Sequence, residues 1–279
     1  MDLQFEPHAG PSYSPTPAAS LGRMHMLRDG FLYAGMVAEF PSQRHSALIY
    51  VALDGDEFTI ETPGHTLRTR AALIRPGVRK RIVGRPRVAF IEVSPIHRGY
   101  PAFAQMHTQA QEPVQAWPHE HFNALLPALR DFAAGRTRPA DADRLYAQMV
   151  TLATQRMPDT APVDPRVRQV MKLLRENQRR TLDELAEAVC LSKDWLVHLF
   201  QREAGISLRK YEQTIKLHAA AAFMNRGVSM TEVAANAGFA DSAHFSKMWK
   251  QHYGLPPNRM FSGHRFVTVD PMPASRLVA

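Results

Sequence analysis

Apolar residues recur along this chain in two rhythms. Up to residue 93 they come in short β-branched and aromatic runs broken by Gly and Pro; after residue 119 they return every three or four positions. The first rhythm predicts strands. Residues 46–53 and 57–61 flank Asp54-Gly55-Asp56, a strong hairpin signal. Thr62-Pro63-Gly64 and Arg75-Pro76-Gly77 mark further turns, and residues 87–93 carry Val88, Phe90, Ile91 and Val93 as another strand. Short strands so spaced suggest a small antiparallel barrel or sandwich. The second rhythm predicts helices. Phe122, Leu125, Leu126, Leu129 and Phe132 share one face of residues 119–134, with a kink expected at Pro127. Leu145, Met149 and Leu152 share a face of residues 141–156. Two such helices predict a hairpin covering the sheet, or alternatively a dimer contact.

From Thr181 to Pro257 one pattern is written twice. Aligning Leu185 with Val233 and Val189 with Ala237 gives an offset of 48; aligning Leu196 with Phe245 and Phe200 with Trp249 gives 49. The second copy therefore carries one extra residue in its turn, and a repeat of this size suggests two similar supersecondary units. Each opens on a Ser/Thr-x-x-Glu capping box, Thr181 with Glu184 and Ser229 with Glu232. Leu185-Ala186 and Val233-Ala234 face inward on a short helix, Cys190 and Gly238 occupy the turn, and Cys190 reads as a packed turn residue rather than a nucleophile. A second helix follows, capped by Ser192 in one unit and by Asp241 or Ser242 in the other. A short capped helix, a tight turn and an amphipathic helix make a helix-turn-helix. Asp164 and Pro165 start a packing helix before the first unit. Ser207 caps a helix between the units that runs to about Asn225, with Leu208, Tyr211, Ile215, Ala219 and Ala222 as its buried stripe. Nineteen residues span roughly 28 Å, close to the roughly 34 Å between successive major-groove faces on one side of B-DNA.

Charge follows the repeat. Of the net +8, residues 165–265 hold +7 (16 Lys/Arg against 9 Asp/Glu) and residues 1–164 only +1. A polyanion partner draws its non-specific affinity from such a surplus. A single cysteine excludes an intramolecular disulfide and fits a reducing cytosol. The first residues lack the apolar core of a signal peptide, and no apolar run reaches the ~18 residues of a membrane helix, so a cytoplasmic protein with no membrane partner is expected. Composition divides the chain into a Pro-rich flexible arm (1–20), a β-domain with a helical hairpin (21–156), a Pro-rich linker (157–164), the repeated helical domain (165–263) and a tail (264–279).

The motifs A-E-A-V-C-L-S-K-D-W-L-V-H-L-F-Q-R-E-A-G-I-S from Ala186 and A-A-N-A-G-F-A-D-S-A-H-F-S-K-M-W-K-Q-H-Y-G-L-P-P from Ala234 resemble the DNA-binding domain of the AraC/XylS family of bacterial transcription regulators. Gly238-Phe239 and Gly254-Leu255-Pro256-Pro257 are the most distinctive parts; Lys216 departs from the arginine common in that family's linker helix. The turn spacing of residues 31–93 loosely resembles the cupin-like sensor half of many bacterial regulators. The fold class expected is α+β: a cupin-like β-barrel or sandwich with a helical hairpin, then an all-α domain with two helix-turn-helix motifs. The resemblance implies that the second helix of each unit enters the major groove of double-stranded DNA, in two adjacent segments.

The exposed positions follow as the complement of the buried stripes: Lys193, Asp194, Val197, His198, Gln201 and Arg202 in the first unit, and Ser242, Ala243, His244, Ser246, Lys247 and Lys250 in the second. Base reading falls to Asp194, Val197, His198, Ala243, His244 and Lys247. Asp194 can accept from a cytosine amine or simply favour the helix N-terminus; Lys193, Arg202 and Lys250 suit phosphates. A second cluster is basic. Arg68, Arg70, Arg75, Arg79, Lys80, Arg81, Arg85 and Arg87 fall together with no acid between Glu61 and Glu92. They read as solvated strand faces, or, with His45, as a rim selecting an anionic effector, for which His45, Arg68, Arg70, Arg75 and Arg79 are the candidates. His45 and His65 are isolated and cations follow the Pro-Gly turn, so neither a metal site nor any other cofactor is expected. RNA polymerase is a further partner if the protein activates, and a homodimer is compatible with the hairpin. The alternatives are a cupin-type enzyme tethered to DNA and an architectural DNA-binding protein; no catalytic residues are expected.

Overall fold

The computed structural model describes residues 22–37, 39–105, 112–155, 157, 163–224, 228–262 and 264–269. The arm expected over 1–20 and most of the linker over 157–164 lie outside these residues.

The β-rich part is two sheets. Seven strands form the larger, in the order β10 (Val114–Ala116), β7 (Ala71–Ile74), β4 (Ala47–Ala52), β9 (Arg87–Val93), β2 (Gly30–Met36), β1 (Gly22–Leu27) and β11 (His264–Val269). The smaller runs β3 (Ser42–Gln43), β8 (Arg79–Val83), β5 (Phe58–Thr62), β6 (His65–Thr69). The central strands of the large sheet are apolar on both faces because both are covered. Leu32, Ile49, Val51, Ala89 and Ile91 point to one side, into a core with Phe122, Leu129, Phe132, Leu145 and Met149. Their alternates Phe31, Tyr33, Leu48, Tyr50 and Phe90 point to the other, against Phe58, Ile60 and Ile82 of the small sheet. The helical cover is a 3₁₀ turn (His119–Phe122), α2 (Leu126–Ala134) and α3 (Pro139–Thr154), after a short α1 (Tyr100–Gln105).

Three expectations need correction. Asp54-Gly55-Asp56 does not close a hairpin: β4 pairs with β7 and β9, whereas β5 pairs with β6 and β8, so this turn carries the chain from one sheet to the other. The true hairpin is one turn later, where Thr62 faces His65 across Pro63-Gly64. Pro127 does not kink a helix; it stands at the first turn of α2, where its missing N–H costs nothing. Finally, the stretch assigned to the tail contributes β11, which pairs in parallel with β1 and so returns the chain from the helical domain to the large sheet.

The helical domain comprises α4 (Pro165–Glu176), α5 (Leu182–Ala188), α6 (Lys193–Ala204), α7 (Leu208–Met224), α8 (Met230–Asn236), α9 (Ser242–Tyr253) and α10 (Pro257–Ser262). Asp164 caps α4 by accepting from the Arg166 backbone N–H, 2.8 Å away. Both capping boxes form in full, Thr181 with Glu184 and Ser229 with Glu232. Ser192 caps α6 and Asp241, rather than Ser242, caps α9. In each turn the chain passes through the left-handed region, at Gly238 (φ 74°) and at Cys190 (φ 53°). Cys190 is exposed, not packed, so it holds a strained conformation without burial to offset it.

Candidate nucleic-acid interface and the junction behind it

α5–α6 and α8–α9 place two short helices at right positions to present one face each. In α6 the apolar stripe of Leu196, Leu199, Phe200 and Ala204 is buried. Lys193, Asp194, His198, Gln201 and Arg202 are exposed and Val197 is half-buried. In α9, Phe245, Trp249, His252 and Tyr253 are buried; Ala243, His244, Lys247 and Lys250 are exposed, with Ser242 and Ser246 half-buried. Lys193 is engaged with Asp183 at 2.9 Å. Sequence reasoning missed Trp195, which is 50 % exposed on α6. The signal was available: at the offset of 49, Trp195 corresponds to His244, already read as exposed, but its residue type argued for the core. Between the units, α7 runs 17 residues, a rod of about 26 Å.

Behind these faces, the second unit docks on the β-domain through ionisable groups. Glu92 of β9 is wholly buried. It accepts from Arg44 Nη1 at 2.6 Å and from Ser46 Oγ at 2.9 Å. His218 of α7 brings Nε2 to 3.5 Å of the same carboxylate, too long for a well-formed hydrogen bond. Burial pushes the Glu92 carboxyl up, but His218, Arg44 and His252 outweigh it and hold it well below the usual carboxylate range. The Arg44 guanidinium is also faced by the rings of Phe31, Phe90 and Tyr253, at 5.2, 5.4 and 4.9 Å. Tyr253 and His252 are the last residues of α9. His252 stands 5.2 Å from the ring of His45, whose Nδ1 is 3.3 Å from Thr214 Oγ1 on α7. Burial lowers both imidazoles, His45 to about 4 with Lys210 assisting, and His252 well below its ordinary value. Gly254 closes the contact: a Cβ there would lie 3.0 Å from the Pro41 carbonyl oxygen, so the β-domain backbone approaches the α9 terminus directly.

The basic cluster behaves differently. Strand pairing brings it the acids that the local sequence lacks: Arg68 pairs with Glu57 at 2.7 Å, Arg81 with Glu61 at 2.9 Å and Arg87 with Asp54 at 3.0 Å. Arg70 and Arg79 are exposed and Arg75 is buried. His45 lies apart from them at the junction with α7 and α9. A cavity does open between the β-domain and the end of α9, but none of Arg68, Arg70, Arg75, Arg79 and His45 lines it. Among the described residues, no group of three or more His, Cys, Asp or Glu could hold a metal, and no helix is long and apolar enough to cross a membrane.

Two capped units on a common rod, each presenting a polar helix face, define a domain with two helix-turn-helix motifs attached to a β-domain. Residues 185–262 match a family model described as a helix-turn-helix domain. The chain is 32 % identical over 96 residues to the HTH-type transcriptional regulator GbdR of Pseudomonas aeruginosa, covering 33 % of this chain and 26 % of that one. It is 24 % identical over 151 residues to the arabinose operon regulatory protein of Escherichia coli, covering 51 % and 52 %. The helix-turn-helix region is similar to those of known operon and transcriptional regulators, in line with the AraC/XylS resemblance of its motifs. The match thus spans between about a quarter and a half of these relatives' lengths. ToxT of Vibrio cholerae O395 shares the fold more widely, with a TM-score of 0.54 at 10 % identity over 85 % of this chain and 98 % of that one. ToxT of Vibrio cholerae strain SCE256 has been solved with an unsaturated fatty acid bound, at a TM-score of 0.51 and 9 % identity over 83 % of this chain and 94 % of that one.

Proposed function

We propose that this chain is a sequence-specific DNA-binding transcription regulator, not an enzyme, whose β-domain binds a small-molecule effector. The observation that carries the reading is the pair of capped units set on α7. α6 and α9 would enter adjacent major grooves, with His198, His244 and Lys247 reading base edges and Arg202 and Lys250 meeting phosphates. Asp194, Val197 and Ala243 stand near the same helix ends. The surplus of positive charge over residues 165–265 supplies the non-specific component. An effector is supported by the cavity against α9 and by the ligand-bound form of ToxT. The docking of α9 on the β-domain offers the physical link, because a ligand there touches the element that reads DNA. RNA polymerase would be the partner of an activator, and a second copy of the chain remains compatible with the exposed side of α2 and α3.

The test is selection of bound fragments from a random pool by the full chain. A regulator enriches one motif and retains it over a large excess of unrelated DNA. Enrichment of no motif would leave an architectural protein.

A further inference from the structure

The cavity between the β-domain and the second helix-turn-helix unit has a volume of about 70 Å³ and opens to solvent on one side, several times the ~10–15 Å³ that a single water needs. Its walls are Met24, Ile82 and Phe90 from the β-domain and Leu255 and Met260 from the helical domain. Met36 and Phe40 also line it, and they are 39 % and 41 % exposed. Of the three large hydrophobic residues exposed among the described residues, these two stand at this one opening. Apolar side chains held in water at the rim of an apolar cavity are what a lipophilic ligand would cover.

The polar groups give the ligand its character. Tyr33, Tyr50 and Tyr253 line the cavity, and burial raises all three phenols, so each is a neutral donor at physiological pH. Tyr33 Oη donates to the Met36 carbonyl at 2.6 Å. Tyr253 Oη is buried with no hydrogen-bond partner among the described residues, a state that calls for a missing one. The one guanidinium in the lining is Arg44; Glu92 balances its charge at 2.6 Å and three aromatic rings face it, while its Nε is a second buried donor with no hydrogen-bond partner among the described residues. Lys80, the other buried cation nearby, does not line the cavity; its Nζ donates to Ser42 Oγ at 3.2 Å, which stands in the wall. Burial and the charge of Arg44 drive that ammonium well below its ordinary value. A carboxylate entering here would lose its water and add a second negative charge beside an Arg44 that Glu92 already balances, which is unfavourable, whereas a neutral acceptor could take the Arg44 Nε–H without that cost.

We propose that this cavity binds an uncharged lipophilic molecule carrying an aromatic or similarly flat apolar body and one polar group, which partners the Tyr253 hydroxyl and thereby contacts α9. The anionic effector expected from the arginine cluster is not the ligand of this site. The link to DNA binding rests on the regulator reading above; the binding itself does not.

The experiment is calorimetric titration of the full chain at pH 7.5 with 2-naphthol and with 2-naphthoate, a neutral and an anionic probe of nearly equal shape. The expected result is binding of 2-naphthol at least tenfold tighter than 2-naphthoate. Tyr253→Phe should weaken it several-fold, and Met36→Trp, which fills the mouth from an exposed position and leaves the core intact, should abolish it. Tighter binding of 2-naphthoate, no binding of either probe, or binding indifferent to both substitutions would overturn the proposal. A chain that selects a DNA motif yet binds no 2-naphthol loses this assignment alone; one that binds 2-naphthol yet selects no DNA keeps the site and loses the regulator reading.

Discussion

Glu92→Gln is the substitution that most directly tests how the second helix-turn-helix unit is held. The change is nearly isosteric, so it removes a charge without opening a cavity. Glu92 is fully buried and the Arg44 side chain is 8 % exposed. Without the carboxylate, a buried guanidinium is left with one neutral acceptor. Breaking a buried pair from one side costs about 3–5 kcal/mol. Phe31, Phe90 and Tyr253 face Arg44 with or without the substitution, so their cation–π contact does not enter the difference. A loss of about 3–5 kcal/mol is therefore expected, measured as urea unfolding at pH 7.5 by tryptophan fluorescence and far-UV circular dichroism. Ser46→Ala removes only the 2.9 Å hydroxyl bond and should cost about 1.5–3 kcal/mol at most. Replacing both ends with apolar residues, Arg44→Met with Glu92→Leu, should recover most of the stability, since the expense lies in the orphaned charge. A Glu92→Gln chain within about 0.5 kcal/mol of the parent, the ordinary range for surface changes, would refute the reasoning.

Three further outcomes are expected. Acidification should destabilise the junction: His45 is held at about 4 in the folded chain against its ordinary 6.5, so the unfolded chain takes up the proton first and stability falls as pH drops from about 6.5 to 4. That span corresponds to about 3 kcal/mol, His252 and Glu92 act in the same direction, and a midpoint rising on acidification would contradict it. Cys190→Gly should stabilise the chain by about 1 kcal/mol in thermal unfolding while Gly238→Ala costs about as much, because both positions hold φ above 50°; equal and opposite signs are the signature. Trp195→Ala, His198→Ala and His244→Ala should each lose about 1–3 kcal/mol of affinity for the selected site and far less for random DNA, so equal losses on both would remove them from base reading.

The helix-turn-helix units were legible because everything that defines them is local. A capping box spans four residues, and the stripes of α6 and α9 repeat within one helix each, so no distant contact can overrule them. The β-domain was legible in class but not in connection. Asp54-Gly55 fits a hairpin, yet the same turn serves equally to lead a strand from one sheet to the next, and only long-range pairing decides. β1 escaped notice because its Arg-Met-His-Met sequence lacks the β-branched residues that announce a strand; it is held by pairing with β2 and β11. The arginine cluster was open between solvated strand faces and an anion rim for a related reason: its acids Asp54, Glu57 and Glu61 lie upstream and meet it only in the folded sheet. The junction had one faint sign, a lone glutamate inside the apolar run 88–93. Its partners Arg44, Ser46, His218 and His252 are dispersed over more than 200 residues, and folding alone assembles them.

The central claim is that the two units are equivalent as scaffolds and different as readers. α6 presents Asp194, Trp195, His198 and Gln201 where α9 presents Ala243, His244, Lys247 and Lys250, so their half-sites should differ. The direct measurement is a footprint of the full chain on its selected DNA at a concentration where one chain binds. The account predicts protection of two unlike segments about one helical turn apart, roughly 10 base pairs centre to centre. A site that is palindromic within the footprint of a single chain would contradict it.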